Sequence, residues 1–259
     1  DPPVNTVPVA GPLTTTEEDI DLVFSTANGN QISVDDIDAS TSPVQVTLSA
    51  VNGVLTLNGM AGLDDTFDDG LGTGDLDGSD GTLEFRGTIG DINTALDGLS
   101  FTPDLNYNGA GSLTITTNDL GNTGVGSPLS DTDTVGITIT AVNDEPVING
   151  PAGLTVDEDS SITISAANMN GVSVDDIDLG AGKFAVTVSL DNGSLTLRRT
   201  TGLTFAGGAD GTSSMTFTGS RTAVNSALDG STYTPDPGYS GSDTLSLTVS
   251  DQGLSLIHI

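Results

Sequence analysis

Residues 186–197 read VTVSLDNGSLTL, and this stretch decides the fold because apolar and polar residues alternate on both sides of an Asp-Asn-Gly turn. Alternation with a period of two predicts β-strands, and Asn-Gly between two such runs is a strong β-hairpin signal. Residues 46–57 read VTLSAVNGVLTL and carry the same pattern. The chain therefore contains the same predicted hairpin twice, 140 positions apart.

Other segments repeat in the same order but at a shorter offset. FTPDLNYNG at 101–109 matches YTPDPGYSG at 233–241, which is an offset of 132. The difference between the two offsets places an eight-residue insertion in the first copy, between Leu57 and Leu83, within the acidic stretch 64–81. Self-similarity on this scale predicts an array of repeated modules.

Each copy is predicted to be an antiparallel β-sandwich of about seven strands. Thr and Ser fill the outward positions, and Gly, Asp and Asn fill the turns, which is typical of sheets with one wet face. Apolar residues spaced by three and four from Ile89 to Leu99 predict a short helical turn, which Val224, Ala227 and Leu228 match in the second copy. The predicted fold class is all-β, with two tandem modules that each contain a short helical turn.

The boundary between the copies is predicted at the linker AVNDEP, because its proline ends the preceding strand. We predict one module at residues 1–142 and a second at 143–253. The second lacks its last strand, since nothing in it matches TVGITITAV at 134–142. Residues 254–259, LSLIHI, resemble a translated sequencing adaptor and are predicted to be a non-native tail, which contains His258.

The chain is strongly acidic. It has 36 Asp and Glu residues against 5 Lys and Arg, for a formal net charge of −31. This charge repels nucleic-acid phosphates and anionic headgroups, so nucleic acid is excluded as a partner. No apolar run approaches the roughly 20 residues of a membrane helix, so no membrane insertion is expected in this segment. Since there is no cysteine, stability is expected to come from apolar burial and any bound metal.

Acidic residues recur at equivalent places in the two copies, and acid-x-acid pairs follow a predicted strand in both ISVDDID and VSVDDID. Two carboxylates about 4 Å apart repel by roughly 4 kcal/mol at a protein surface, so such a cluster favours a cation. Ca²⁺, which takes six to eight oxygen ligands in flexible geometry, is the natural ion. The recurring positions are Glu18, Asp36, Asp38 and Asp119 in the first copy, Glu158, Asp176, Asp178 and Asp251 in the second, and Asn143 and Asp144 in the linker.

This ordered set resembles the cadherin-like tandem repeats of large bacterial surface adhesins and biofilm-associated proteins. The family's marks are an acid at the top of the first strand, an acid-x-acid pair after the second, an acid at the end of the sixth, and an Asn-Asp-x-x-Pro-like linker. The resemblance implies Greek-key β-sandwiches of the cadherin/Ig-like kind with calcium at the junction between modules. The implied calcium ligands are Glu18, Asn143, Asp144, Asp176, Asp178 and Asp251.

Three features depart from the family pattern. The linker reads NDEP, with Glu145 where vertebrate cadherins carry a second asparagine. The upstream linker reads NTVP, with Thr6 in place of the aspartate. The acidic triplet that vertebrate cadherins carry before the sixth strand is not recognisable. We therefore expect one or two ions at the junction instead of three.

The resemblance implies a structural repeat segment of a secreted or cell-surface bacterial adhesin, stiffened by interdomain calcium. Its partners would be neighbouring repeats of the same chain and, through other parts of the parent protein, host or matrix glycans or proteins. The alternative is a carbohydrate- or protein-binding β-sandwich of an extracellular protein, with its site at Asp64–Gly81 or at Tyr107 and Tyr239. An enzyme is not expected, because the chain has no cysteine, a single lysine, Lys183, and a histidine only in the tail.

Overall fold

The computed structural model describes residues 1–66, 74–121 and 127–252, together with the backbone of 256–258. The chain divides into two compact units, Asp1–Val142 and Asn143–Ile259. Both units are built mainly from strands in antiparallel sheets, which confirms the predicted all-β class. No helix in the described part of the chain is long and apolar enough to cross a membrane.

The first unit contains an α-helix, a short 3-10 turn and ten strands within its described residues. The elements are β1 (Val4–Thr6), the 3-10 turn (Pro12–Thr14), β2 (Thr15–Glu17), β3 (Leu22–Phe24), β4 (Ser33–Asp35), β5 (Val44–Val51), β6 (Gly53–Thr56), β7 (Thr82–Gly87), α1 (Ile89–Leu96), β8 (Leu99–Pro103), β9 (Gly109–Asn118) and β10 (Ser130–Thr140). The predicted number of about seven strands is too low. The strands β1 to β4 have three residues each, which is too short to show a period of two in the sequence.

Two sheets of the first unit share one core. The larger has the strand order β2-β10-β9-β5-β7 and the smaller β3-β8-β6, while β1 pairs with β4. Alternate residues of each sheet are buried, as a sheet with one covered face requires. Phe85 of the larger sheet and Phe24 and Phe101 of the smaller belong to the same apolar cluster and are fully buried.

The two longest strands of the first unit form its central ladder. β9 and β10 pair antiparallel over ten residue pairs, from Ser130 opposite Asn118 to Ile139 opposite Gly109. The other edge of β10 carries β2, which runs parallel to it. One end of this ladder lies at Asn118 and Ser130, and the other lies at Gly109 and Ile139.

The second unit repeats this plan. Its larger sheet has the order β16-β17-β14-β19-β20, its smaller sheet β12-β18-β15, and β11 pairs with β13. The elements are β11 (Val147–Asn149), β12 (Ile162–Ile164), a 3-10 turn (Ala166–Asn168), β13 (Ser173–Asp175), β14 (Phe184–Leu190), β15 (Gly193–Thr196), β16 (Leu203–Gly208), β17 (Ser214–Gly219), α2 (Arg221–Leu228), β18 (Ser231–Pro235), β19 (Leu245–Ser250) and β20 (Leu256–His258).

The units differ at the last strand. β20 pairs with β19 over only three residue pairs and starts opposite Ser250, the counterpart of Asn118 in the first unit. Residues 155–157, the counterpart of β2, form no strand. Glu158 is consequently exposed, whereas Glu18 is buried. The predicted tail thus occupies the start of the missing strand, and its side chains lie outside the described residues.

The helix predicted in each copy is present and packs onto the core. Thr88 and Ser220 cap α1 and α2, accepting hydrogen bonds from the backbone N–H groups of Asp91 and Ala223. The buried faces consist of residues three and four apart, as the apolar spacing predicts. They are Ile92, Ala95 and Leu96 in α1 and Val224, Ala227 and Leu228 in α2.

Candidate metal centre

The acid-x-acid pair of the second unit lies in a turn that directly follows β13. Asp176 is 3 % exposed, and its Oδ1 accepts hydrogen bonds from the backbone N–H groups of Asp178 (2.9 Å) and Leu179 (2.8 Å). Its Oδ2 is buried and has no hydrogen-bond partner. The first carboxylate of the pair therefore shapes the turn with one oxygen and leaves the other unused.

The linker residues reach the same end of the second unit. The backbone N–H of Asp144 donates to Oδ2 of Asp178 (2.6 Å), and Nδ2 of Asn143 donates to Oδ2 of Asp251 (2.6 Å). Asp251 directly follows β19. Nδ2 of Asn143 also donates to the carbonyl of Asp144 (3.1 Å). Five of the six predicted ligands thus belong to one unit and are linked in one hydrogen-bonded network: Asp176, Asp178, Asp144, Asn143 and Asp251.

The first unit builds the same turn from its own acids. Oδ1 of Asp36 accepts from the N–H groups of Asp38 (3.1 Å) and Ala39 (3.2 Å), and its Oδ2 is buried without a hydrogen-bond partner. Asp119, 5 % exposed, accepts from Gly121 and Leu129. The unused oxygen therefore occurs at the same position of both units, at Asp36 and Asp176.

Strand register corrects the prediction that Thr6 replaces the linker aspartate. Val4 pairs with Asp35, just as Val147 pairs with Asp175, so DPPV at 1–4 corresponds to DEPV at 144–147. The amino group of Asp1 donates to Oδ2 of Asp38 (2.8 Å), as the N–H of Asp144 does to Asp178. The counterpart of Asp144 is therefore Asp1. A β1 strand of three residues is too short for its register to be predicted from periodicity.

The charges of the first cluster act on one another. The hydrogen bond to Asp38 raises the pKa of the Asp1 ammonium, and the negative charges of Asp36 and Asp119 raise it further, against a lowering by burial. Burial raises the pKa of Asp36, as does its contact with the Asp38 carboxyl. The negative charges of Asp36, Asp38 and Asp119 therefore act on the same place, which is the electrostatic setting that a cation prefers.

Glu18, the sixth predicted ligand, lies at the other end of the first unit. It is 3 % exposed and accepts hydrogen bonds from the backbone N–H of Val142 and, at 3.4 Å, from the side chain of Asn108. Asp119 follows the opposite end of the β9–β10 ladder. Glu18 therefore does not contribute to the acidic cluster of its own unit, and it lies where the chain leaves that unit.

No three acidic or histidine side chains among the described residues lie close enough to form a ready-made metal-binding group. Some of the carboxylate oxygens accept hydrogen bonds from backbone and amide N–H groups instead, as those of Asp178 and Asp251 do. The donor set nevertheless fits a hard cation, because it consists of carboxylate oxygens, two of which are buried at Asp36 and Asp176 without a partner. Since burying a charged oxygen without a partner is costly, an ion there would compensate the cluster.

The positions of the alternative binding site have local structural roles. Tyr107 and Tyr239 are half-buried, and their hydroxyls donate to the backbone carbonyls of Ala110 (3.1 Å) and Ser242 (2.6 Å). In the acidic insertion, Asp75, Asp77 and Asp80 each accept a hydrogen bond from the backbone N–H two residues ahead. Residues 67–73 of the insertion lie outside the described residues.

Comparisons with known proteins do not assign a family. No protein-family model and no curated protein matches the chain. A solved structure described as manganese lipoxygenase of Gaeumannomyces graminis with a partial structure of zonadhesin of Komagataella pastoris is similar at 12 % identity and a TM-score of 0.24, covering 98 % of this chain and 91 % of that one. A likeness at this level carries no argument for fold or function.

Proposed function

We propose that this chain is a structural repeat segment of a secreted or cell-surface bacterial adhesin, stiffened by interdomain calcium. It would consist of two tandem Greek-key β-sandwich modules of the cadherin-like kind. Its role would be mechanical and not catalytic, with neighbouring repeats as its direct partners. Host or matrix glycans or proteins would bind through other parts of the parent protein.

The shared core of two sheets in each unit supports the sandwich architecture. In the second unit Phe217 and Val186 of the larger sheet and Leu195 of the smaller sheet belong to one buried cluster. The larger sheets place β5 beside β9 and β14 beside β19, with strands of the smaller sheet between them in the chain. Such connections between non-neighbouring strands are what a Greek key requires.

The observation that carries the calcium proposal is the repeated buried oxygen, Oδ2 of Asp36 and of Asp176. Burying a carboxylate oxygen without a hydrogen bond is unfavourable, and both units do so at the same position of the turn. The repetition indicates that this oxygen has the same function in both units, and binding of a cation would compensate its burial. The proposed ligands are those that the resemblance implies: Glu18, Asn143, Asp144, Asp176, Asp178 and Asp251. When bound, Ca²⁺ would supply the positive charge that holds these carboxylates together.

Two of these residues would exchange present contacts for the ion. Asn143 directs its amide N–H towards Asp251, so its amide oxygen would have to turn to the ion. Both oxygens of Glu18 accept hydrogen bonds within the first unit. Asp176 needs no such exchange, because its free oxygen is already at hand.

Calcium should therefore stabilise the second unit, and Asp176→Asn with Asp178→Asn should abolish the effect. Extracellular modules bind Ca²⁺ with Kd of about 10⁻⁴ to 10⁻³ M. At one hundred times Kd the gain is roughly 2.7 kcal/mol, which raises the Tm by about 10 to 20 °C. Asparagine keeps the acceptor that shapes the turn, but it removes the charge and replaces the second carboxylate oxygen by an amide NH2 group, which cannot bind a cation. Calorimetric melting with and without Ca²⁺ measures the gain, with Mg²⁺ as the control ion.

The matched control is Asp36→Asn with Asp38→Asn in the first unit, which forms the same turn but supplies neither carboxylate to the proposed ligand set. This pair should alter the calcium response of the second unit little. Small-angle scattering should also show a stiffer, longer particle when Ca²⁺ is added. If chelation changes neither the melting nor the shape of the unmodified chain, the stalk proposal is wrong and the binding-module alternative takes its place.

A further inference from the structure

A polar cleft of about 440 Å³ lies in the first unit, beside the helix α1. Buried Ile32 contributes an apolar wall, and the other lining side chains are hydroxyls, amides and one carboxylate. The volume falls within the range of small-molecule sites in proteins. The lining residues are Thr26, Gln31, Ile32, Ser33, Asn58, Asn93, Thr94 and Asp97.

Some lining residues have a structural role that both units share. The side chain of Asn93 exchanges two hydrogen bonds with the backbone of Val34, and Asn225 does the same with Val174. Oδ1 of Asp97 accepts from the N–H of Thr26 (2.7 Å), and Asp229 accepts likewise from Ala166 in the second unit. These polar groups maintain the fold in both copies.

Three lining side chains have no chemical equivalent in the second unit, whereas Ile32 and Thr94 correspond to the similar Val172 and Ser226. Thr26, Gln31 and Asn58 correspond to Ala166, Gly171 and Arg198 in the second unit, at the offset of 140. The long side chain of Arg198 packs near Gly230, where Asn58 packs near Gly98, and it reaches to 3.8 Å from Asp229. The copies therefore differ at the side chains that no shared structural contact requires.

These three side chains keep hydrogen-bonding capacity for a ligand. The Gln31 amide makes no hydrogen bond within the described residues, and it is exposed. Nδ2 of Asn58 donates to the carbonyl of Asp97 (2.8 Å), which leaves its Oδ1 as an acceptor. The Thr26 hydroxyl donates to Asp97 and can still accept.

We propose that this cleft binds a single neutral sugar residue of a glycan. Paired amide and hydroxyl groups offer donors and acceptors side by side, which suits the hydroxyl groups of a sugar. An anionic ligand is repelled by a chain of net charge −31. A cation would meet one carboxylate, Asp97, whose two oxygens already accept from Thr26. The adhesin segment would then hold glycan itself, in addition to its role as a stalk.

The test is a titration of the whole chain with galactose, mannose, glucose and N-acetylglucosamine, each to about 10 mM, monitored by the side-chain amide signals of Gln31 and Asn58 in ¹⁵N–¹H spectra. At least one sugar should shift both signals with a Kd in the millimolar range. Asn58→Arg, the side chain of the second unit, should weaken binding at least tenfold. Trimethylamine and acetate serve as charged probes.

Thr26→Ala with Gln31→Gly gives the second unit's residues without adding bulk, and it should also weaken binding at least tenfold. Arg198→Asn, with an unchanged cleft in the first unit, should leave binding as it is. Calcium and its chelation should not matter, since none of the proposed ligands lines the cleft. The proposal is overturned if no sugar shifts these signals, if Asn58→Arg melts normally and binds sugar as before, or if only a charged probe binds.

Discussion

Asn5 and Thr117 form a buried polar pair in the first unit that the second unit does not have. The Thr117 hydroxyl, fully buried, donates to Oδ1 of Asn5 (2.6 Å), and Nδ2 of Asn5 is buried without a hydrogen-bond partner. Strand register gives Ile148 and Val249 as the counterparts. The same two positions of the fold thus hold a hydrogen-bonded polar pair in the first unit and two apolar side chains in the second.

Thr117→Val should destabilise the first unit by about 1 to 3 kcal/mol, because it leaves the buried amide of Asn5 without its partner. Asn5→Ile together with Thr117→Val should restore or exceed the original stability, since both polar groups are then removed. Denaturant unfolding of the single and double variants measures the difference. A Thr117→Val variant as stable as the parent chain would show that the pair contributes nothing.

Tyr233 and Asp243 should make the second unit sensitive to pH at both extremes. Burial and the hydrogen bond to Asp243 raise the pKa of Tyr233 to about 12. Burial raises the pKa of Asp243, but hydrogen bonds from Tyr233 and three backbone N–H groups outweigh it and leave the pKa below its ordinary value. A lowered carboxyl pKa loses its stabilising effect as the pH falls below about 4, and a raised tyrosine pKa does so between about pH 10 and 12.

Tyr233→Phe, the residue that Phe101 provides in the first unit, should remove the alkaline loss and reduce the acid one. The acid loss should persist in part, because three backbone N–H groups still bind Asp243. Calorimetric melting of the parent chain and of the Tyr233→Phe variant across the pH range measures the acid and the alkaline loss of stability. If the variant loses stability at alkaline pH as the parent chain does, a group other than Tyr233 causes that loss.

At the scale of elements, the short pairing of β20 leaves β19 incompletely covered. Three residue pairs join β20 to β19, against ten in the β9–β10 ladder of the first unit. An exposed strand edge carries unpaired backbone groups. Replacing residues 254–259 with the sequence of 128–142, in the register that places Ser130 at Leu256, should extend the ladder and raise the Tm of the second unit by about 4 to 8 °C for each kcal/mol gained.

Amide hydrogen exchange locates the effect of this replacement. The N–H groups of β19 should become more protected, and Glu158 should become buried as Glu18 is. Deleting residues 254–259 without replacement is the matched control and should lower the Tm. A replaced strand that changes neither the Tm nor the protection of β19 would show that the edge is already complete.

Local patterns predict those elements whose signal lies within one segment. The α2 helix and the turn at Asp176 each follow from spacing or turn chemistry that a few residues carry. The β-hairpin predicted around Asn192 and Gly193 is wrong, because β14 pairs with β17 and β19 in the larger sheet whereas β15 pairs with β18 in the smaller one. In the first unit β5 and β6 likewise belong to different sheets, since a turn signal fixes the two strands but not the strands they pair with. The acid positions of the two copies are also predictable, because the repeat offset equates Asp36 with Asp176.

Features that depend on pairing between distant segments could not be predicted. The equivalence of Asp1 and Asp144 rests on β1 pairing with β4, and three residues have no measurable period. The burial of Asn5 against Thr117 joins positions 112 residues apart. The cleft beside α1 likewise arises from four separate segments, whose proximity only the folded chain determines.

At the scale of the whole molecule, the parallel pairing of β2 with β10 has a mechanical consequence. β2 lies near the start of the first unit and β10 near its end, and Thr15, Thr16 and Glu17 pair with Thr138, Ile139 and Thr140. A pull on the two ends of this unit loads parallel neighbours in shear, so their hydrogen bonds must break together. Residues 155–157 of the second unit form no such pair. Since rupture under load is set by the unfolding barrier and not by equilibrium stability, this parallel pair should raise the force at which the first unit unfolds.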